Sequence, residues 1–173
     1  MTHGDTARRR PQPRTGWRRL AARLPILLFR AGLGPVFGKR FLLLHHTGRV
    51  TGLDRMVALE VVFYEPAYRS WTVASCFGPE ADWYQNLREE PKTLIQFGNR
   101  PYAVTAHFLP PDEGAEVMVG YGHRHPRTAR RLCAFMGLPA DGGKASFREA
   151  GRAIPFVRLE AAVGQRGHTR GRA

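Results

Sequence analysis

The chain has 173 residues, 43% of them hydrophobic, and its 27 lysines and arginines against 14 acidic residues give a formal net charge of +13. This length and composition fit one domain with a core of its own and exclude a chain that is disordered throughout. The charge is concentrated at the ends, with +9 in residues 1–40 and only +2 in residues 41–159, which is atypical of a nucleic-acid-binding fold.

The first 40 residues divide into a tail and a helix. Residues 1–14 are polar, basic and proline-containing, which predicts a disordered basic tail. In residues 15–40, apolar side chains recur every three or four positions between arginines, and several glycines follow, which predicts an amphipathic helix and a linker. Two uses of this helix stay open: peripheral contact with a membrane through residues 15–30, or capping of one end of the folded domain.

The sequence favours a cytoplasmic location. The longest apolar run near the start, Leu24–Phe29, is too short for a membrane span or a signal peptide. Cys76 and Cys133 are far apart and form no disulfide framework, which favours a reducing compartment. If the helix does bind lipid, the expected place is the inner face of the plasma membrane.

Six strands, mostly joined by short turns, are predicted between residues 41 and 160. Short connections imply antiparallel neighbours, and the alternating βα units of a doubly wound sheet are missing. The predicted class is therefore α+β, mainly antiparallel, with a small barrel at 41–160, flanking helices and a second disordered basic tail at 161–173. The strands are expected at Phe41–His46, Arg55–Tyr64, Trp71–Ser75, Thr93–Phe97, Tyr102–Leu109 and Ala153–Leu159, and helices near 83–90, 112–122 and 126–137, with a glycine-marked loop at 142–143.

The segment Leu42–Arg55, LLLHHTGRVTGLDR, runs from a strand into a glycine-containing loop. Glycines at 48 and 52 allow backbone N–H groups to converge on an anion. Arg49 and Arg55 add guanidinium groups that bind phosphate at two points. A hairpin loop with solvent-facing arginines is the simpler interpretation of the same residues, and the spacing matches neither a Walker loop nor a dinucleotide fingerprint.

The segment Trp71–Leu87, WTVASCFGPEADWYQNL, joins a strand that ends in small residues to a short helix. Small side chains at Ala74 and Ser75 let a flat ring approach the backbone, and free N–H groups at a helix start bind carbonyls on such a ring. Alternatively, Trp83 and Leu87, four positions apart, only bury one face of the helix.

Together with PKTLIQF at residues 91–97, these two segments resemble the deazaflavin-dependent nitroreductase family, over roughly residues 24–160. The resemblance implies a six-stranded split β-barrel of the FMN-binding split-barrel type. It also implies that the cofactor is the 8-hydroxy-5-deazaflavin coenzyme F-420. The expected reaction is hydride transfer from the reduced cofactor to an electron-poor acceptor such as a quinone, an enone or a nitro compound.

By the same resemblance, nine residues are expected at the cofactor. The two arginines hold the phosphate, the neighbouring loop residues shape their cradle, and the others lie against or around the deazaflavin ring. Val50 and Cys76 stand where the family often has lysines, so the preferred length of the cofactor's oligoglutamate tail is left open. The nine residues are Thr47, Arg49, Thr51, Gly52, Arg55, Ala74, Ser75, Trp83 and Asn86.

The sequence contains no Ser–His–Asp or Cys–His arrangement, and hydride transfer from a cofactor requires none. Candidates for a proton donor are Tyr121 and the adjacent His45 and His46, which face opposite sides of their strand. A hydrogen-bonded strand histidine is the simpler interpretation of either. His123 and His125 lack a third ligand, so no metal site is expected.

Other classes stay open at this stage. An FMN- or haem-binding member of the wider split-barrel group would use a similar barrel and similar basic residues. A basic module that binds nucleic acid or a membrane would explain the terminal charge alone. The expected partners are a small-molecule acceptor, lipophilic if the helix binds a membrane, and a second copy of the chain, because split barrels often pair; no specific nucleic acid is expected.

Overall fold

A computed structural model describes residues 38–139 and 141–162. The predicted tail at 1–14, the predicted helix and linker up to residue 37, and the tail from residue 163 lie outside the described residues. The described part contains β1 (Phe41–Thr47), β2 (Asp54–Glu65), β3 (Ser70–Ala74), α1 (Asp82–Glu89), β4 (Lys92–Phe97), β5 (Arg100–Phe108), α2 (Pro111–Arg124), α3 (Pro126–Phe135), α4 (Lys144–Ala153) and β6 (Phe156–Ala161).

The six strands close into a barrel in the order β1-β2-β3-β6-β5-β4, and every neighbouring pair is antiparallel. Short turns join β1 to β2, β2 to β3 and β4 to β5. In the last of these, Gly98 has a φ of +59°, a conformation that side chains disfavour. The predicted α+β fold with a six-stranded antiparallel barrel and flanking helices is confirmed.

The barrel interior is filled by alternate residues of each strand, as the two-residue period of a strand requires. On β1, Leu42 and Leu44 point inward, and α1 adds Trp83 and Leu87 from one end of the barrel. We call this set the interior cluster: Leu42, Leu44, Leu59, Trp71, Val73, Trp83, Tyr84, Leu87, Ile95, Val104, Ala106, Val157 and Leu159.

The helices α2, α3 and α4 form a layer on the outer face of β2, β3 and β6. Their shared core, the outer cluster, comprises Val62, Ala74, Met118, Tyr121, Ala129, Cys133, Phe147, Ala150, Ile154 and Phe156. Helices α2 and α4 approach most closely where Gly114 faces Gly151. A Cβ on Gly151 would lie 2.5 Å from the Gly114 carbonyl oxygen and 2.6 Å from the Cα of Ala115.

Helix α4 is the main departure from the predicted elements, which place only a loop and the start of a strand in this region. Its length is ten residues, and it contains Gly151, which weakens a helical pattern in the sequence. The helix exists because Phe147, Ala150 and Gly151 are buried on α2 and the sheet. The closing strand accordingly starts later than predicted, at Phe156.

Candidate cofactor-binding site

The β1–β2 loop (residues 48–53) is a tight turn held by its own backbone. The Gly48 N–H donates to the carbonyl of Leu53 (2.8 Å), and the Gly48 carbonyl accepts from the N–H groups of Gly52 (2.7 Å) and Thr51 (3.1 Å). Gly52 has a φ of +66°, so a residue without Cβ is favoured at this position. These bonds give the loop a defined shape at one end of the barrel.

Gly48 leaves room for two polar side chains to converge. A Cβ at this position would lie 2.7 Å from Thr51 Oγ1 and 3.0 Å from Arg55 Nε. The hydroxyl and the guanidinium therefore reach over the loop backbone into space that any larger residue would fill. The result is a small cradle lined by donors.

Arg49 is fixed to helix α1 at both its backbone and its side chain. Its N–H donates to Asn86 Oδ1 over 3.1 Å, and its Nη1 donates to the same oxygen over 3.0 Å. Nη1 also pairs with Asp82 Oδ1 at 3.2 Å. Asn86 is only 3% exposed, so the loop is attached to α1 through a buried amide.

The other end of the Asn86 amide contacts His46. Asn86 Nδ2 lies 2.8 Å from His46 Nδ1, and the histidine is 7% exposed. His46 and His45 lie on opposite faces of β1, as predicted: His45 is partly exposed, with Nδ1 3.6 Å from Asp54 Oδ2.

The pKa of His46 lies below its usual value of about 6.5. Burial is the main cause and the positive charge of Arg55 adds to it, while Asp54 and Asp82 act in the opposite direction. The unfolded chain therefore binds this proton more readily than the folded chain. It follows that the neutral ring contributes stability that is present above about pH 6.5 and is lost as the pH falls below that value.

Arg55 lies opposite His46 in the register of β1 and β2. It is exposed, and within residues 38–139 and 141–162 no carboxylate forms an ion pair with it. Arg49 pairs with Asp82, so of the two loop guanidinium groups Arg55 is the one that has no carboxylate partner among the described residues. Thr47 and Thr51 are exposed beside it.

Three of the residues predicted at the ring are in contact with protein. Ser75 is fully buried: its hydroxyl donates to the Gly78 carbonyl (2.6 Å) and its N–H donates to the Pro155 carbonyl (2.8 Å). Ala74 belongs to the outer cluster, and Trp83 packs with Leu87 in the interior cluster. Trp83 and Leu87 are buried, as the simpler interpretation of the sequence predicts. Contact of Ala74, Ser75 and Trp83 with a cofactor ring stays a prediction.

Val50 and Cys76, which stand where the family often has lysines, differ in their exposure to solvent. Val50 is 88% exposed at the tip of the β1–β2 loop. Cys76 is partly buried beside the outer cluster. Burial, and then the negative charge of Glu60, raise the pKa of its thiol.

Tyr121 lies on a pocket of about 330 Å³ between β2 and the helices α2 and α3. Its hydroxyl donates to Glu60 Oε1 over 3.0 Å, and the same oxygen accepts from Arg40 Nε over 3.2 Å. Burial, followed by the Glu60 charge, raises the pKa of Tyr121 far above its usual range. The phenol therefore keeps its proton at neutral pH.

The sequence does not single out Glu60, Arg40 or Asp82, which the fold brings to these two places. Successive side chains of β2 point to opposite faces of the sheet, so one polar residue such as Glu60 does not stand out in the strand. Asp82 resembles any acidic residue at the start of a helix. Their partners are distant in the chain, 61 residues away for Glu60 and Tyr121 and 33 for Arg49 and Asp82. No local motif could have identified them.

The described residues contain neither a metal-binding cluster nor a membrane-spanning helix. No group of three or more His, Cys, Asp and Glu side chains within 38–139 and 141–162 is placed to hold a metal ion. In the same part of the chain, no helix has the length and apolar character needed to cross a membrane.

The donor set at the β1–β2 loop fits the phosphate of coenzyme F-420. The Arg55 guanidinium and the Thr51 hydroxyl approach the backbone at Gly48, Arg49 lies in the same loop, and no acidic side chain pairs with Arg55 among the described residues. Guanidinium groups bind phosphate oxygens in pairs. The chemistry of the loop therefore suits an anionic cofactor.

Solved structures share this split-barrel fold. One described as a domain-swapped dimer matches with a TM-score of 0.51 and 19% identity, over 83% of this chain and 97% of that one. A protein of unknown function from Agrobacterium tumefaciens matches with a TM-score of 0.51 and 15% identity, over 80% of this chain and 55% of the other. An F420-H2 dependent reductase, FDR-A, matches with a TM-score of 0.49 and 20% identity, over 70% and 95% of the two chains. No curated protein matches the chain.

The fold defines a split-barrel protein, and the donors at its β1–β2 loop are of the kind that suits a phosphate-bearing cofactor. The model of the F420H(2)-dependent quinone reductase family matches residues 29–136, more than half of the chain. The chain belongs to this family. It is an oxidoreductase that uses coenzyme F-420 as the hydride donor, and the predicted family, reaction and cofactor are confirmed. The family match favours the deazaflavin over FMN or haem.

Proposed function

We propose that the chain reduces a quinone and that Arg55 and Arg49 bind the cofactor phosphate at the β1–β2 loop. The observation that carries this proposal is the Arg55 guanidinium beside the Gly48 cradle, which no carboxylate of the described residues pairs with, while α1 holds Arg49 in the same loop. When bound, reduced F-420 supplies the hydride. The quinone gains this hydride and one proton and becomes the hydroquinone.

The ring is proposed to lie between the loop and the Tyr121 pocket. Ala74 at the end of β3 and Tyr121 on α2 belong to one outer cluster, so the strand end and the pocket are neighbours.

The Tyr121 pocket is the proposed acceptor side. Because burial and the Glu60 charge raise the pKa of Tyr121, its hydroxyl remains a hydrogen-bond donor at neutral pH. In the structure this one proton is donated to Glu60, which Arg40 holds in turn. A quinone carbonyl would accept the hydrogen bond in place of Glu60.

The proposal is tested with the purified full chain. Titration with oxidised F-420, followed by fluorescence, is expected to show saturable binding, and the same titration with FMN is expected to show none. Reduced F-420 is then expected to be oxidised when menadione is added, and only in the presence of the protein. Absence of saturable F-420 binding, or of turnover with quinones, would contradict the proposal.

A peripheral membrane contact is a separate part of the proposal, supported by the basic amphipathic pattern of residues 15–30. We expect the full chain to sediment with vesicles that contain anionic lipid and less so with neutral ones. The variant with Arg18, Arg19 and Arg23 all changed to glutamate is expected to lose this difference. Equal sedimentation of the variant and the unchanged chain would remove the membrane contact and, with it, the reason to favour a lipophilic quinone.

A homodimer is also proposed, because one solved relative is described as a domain-swapped dimer. Light scattering of the full chain measures the mass directly.

A further inference from the structure

The hydrogen bonds around Asn86 determine the state of His46. Asn86 Oδ1 faces two groups of Arg49, the N–H and Nη1, and both of these groups can only donate. The oxygen of the amide must therefore point to Arg49 and its NH₂ to His46. His46 Nδ1, 2.8 Å from Asn86 Nδ2, is then an acceptor, so the ring is neutral and carries its proton on Nε2.

We propose that His46 is a positioning residue for the cofactor: by accepting a hydrogen bond from Asn86 it fixes the orientation of the amide that holds Arg49 at the β1–β2 loop. The inference rests on the proposed binding of the F-420 phosphate at this loop. It assigns His46 a role that is exerted through Arg49, in place of the proton-donor role considered from the sequence.

The physical reason is that the buried amide has two ends and only one satisfactory orientation. In the flipped orientation the NH₂ group would face the two donors of Arg49, and Oδ1 would face His46. Asn86 and His46 are both almost completely buried, so an unpaired polar end is costly. The acceptor on His46 satisfies the NH₂ end and thereby stabilises the orientation in which Arg49 keeps its two bonds.

Protonation of His46 should break its hydrogen bond with Asn86, because Nδ1 would become a donor that faces the Asn86 NH₂. The hold of Asn86 on Arg49 should weaken as a result. The charged and titratable groups around His46 are Arg55 and His45, which oppose protonation, and Asp54 and Asp82, which favour it. Because burial lowers the pKa of His46, the affinity of the unchanged protein for F-420 is expected to fall only once the pH drops below that lowered pKa, at a pH lower than the usual 6.5 of a histidine. A variant without an imidazole at this position is expected to lack that dependence.

The first experiment measures the Kd of oxidised F-420, which needs no turnover. His46→Phe removes the acceptor but keeps a ring, and we expect the Kd to rise by about 3- to 10-fold, the effect of one hydrogen bond. His46→Gln offers an amide oxygen in the same direction and is expected to restore most of the affinity. In His46→Phe the change in Kd is expected to exceed any change in kcat at saturating cofactor.

The matched control is His107→Phe, at a half-exposed strand histidine on β5 that pairs with Glu160; its Kd should not change. If His46→Phe does not fold, His46→Leu takes its place. An unchanged Kd in the variant that removes the acceptor, or a loss in His46→Gln as large as in His46→Phe, would overturn the inference.

A double-mutant cycle tests whether the effect passes through Arg49. In an Arg49→Ala background, His46→Phe is expected to cause a smaller further loss of affinity, since the guanidinium bond to Asn86 is gone and only the bond from the backbone N–H of residue 49 remains. Losses that multiply fully would show that His46 acts independently of Arg49 and would overturn the inference.

A cofactor-free measurement separates this inference from the proposed function. Nitrogen chemical shifts of the His46 ring in the unliganded full chain at neutral pH are expected to show the Nε2–H tautomer. A ring protonated on Nδ1 would overturn the inference even if F-420 binds. If the unchanged protein binds no F-420, both the proposed function and the inference are contradicted. If the unchanged protein binds F-420 and the His46→Phe variant binds it with the same Kd, only the inference is contradicted.

Discussion

Replacing Arg55 with alanine is expected to weaken the binding of F-420 by about 10- to 100-fold, because hydrogen bonds to a charged group contribute about 1.5–3 kcal/mol. Arg55 is exposed and has no carboxylate partner among the described residues, so the thermal stability of the protein should hardly change. Arg55→Lys keeps the charge but loses the fork and should recover only part of the affinity. Fluorescence titration with F-420 at fixed ionic strength measures all three proteins.

A suitable control is Arg100→Ala, which removes another exposed arginine, at the β4–β5 turn. It should leave the Kd unchanged, since this turn is not part of the phosphate cradle. If Arg55→Ala binds F-420 within twofold of the unchanged protein, the phosphate is held elsewhere. A large fall in melting temperature would instead show that Arg55 supports the fold.

The second large effect concerns stability. Gly151→Ala is expected to lower the free energy of unfolding by about 2–3 kcal/mol, near the upper end for overpacking a core. The new Cβ would meet the Gly114 carbonyl oxygen at 2.5 Å and the Met118 Cβ at 2.7 Å, and neither backbone nor a fully buried side chain can move away easily. Chemical denaturation followed by circular dichroism gives the change.

Gly120→Ala serves as the matched substitution, since it is also a glycine-to-alanine change in a helix of this layer. There the nearest atom to a Cβ is the Arg124 Nη1 at 3.5 Å, an ordinary contact with a flexible side chain. Alanine is favoured over glycine in a helix by roughly 0.5–1 kcal/mol, so this variant should be slightly more stable than the unchanged protein. Equal effects of the two substitutions would mean that α2 and α4 are not closely packed.

Much of the barrel could be predicted because its strands carry local signals. Apolar β-branched runs such as the one in β2 are bounded by turn residues, and Gly98 marks the turn between β4 and β5. The opposite orientation of His45 and His46 also follows from the two-residue period of a strand. Helix α4 could not be predicted in this way, because its stability depends on contacts with α2 that are distant in the sequence.

In the candidate site, too, the features that are local in sequence could be predicted and the contacts between distant residues could not. The loop from Gly48 to Gly52 and its arginines form a continuous motif, which lies within the residues that the family model matches. The attachment of Arg49 to α1 is different, because Asn86 is 37 residues away and nothing near Arg49 in the sequence indicates it. The pocket at Tyr121 likewise depends on Glu60, which only the packing of α2 on β2 brings near.

The ion pair between Arg49 and Asp82 has a consequence for the thermodynamics of ligand entry. The Asp82 side chain is 84% exposed, so its attraction for the guanidinium is small and easily exchanged. Together with Asn86 it nevertheless keeps a long side chain in one rotamer before any anion arrives. Arg49 is thus preorganised by an internal counter-ion, and much of the entropy that a free arginine would lose on binding has already been lost during folding.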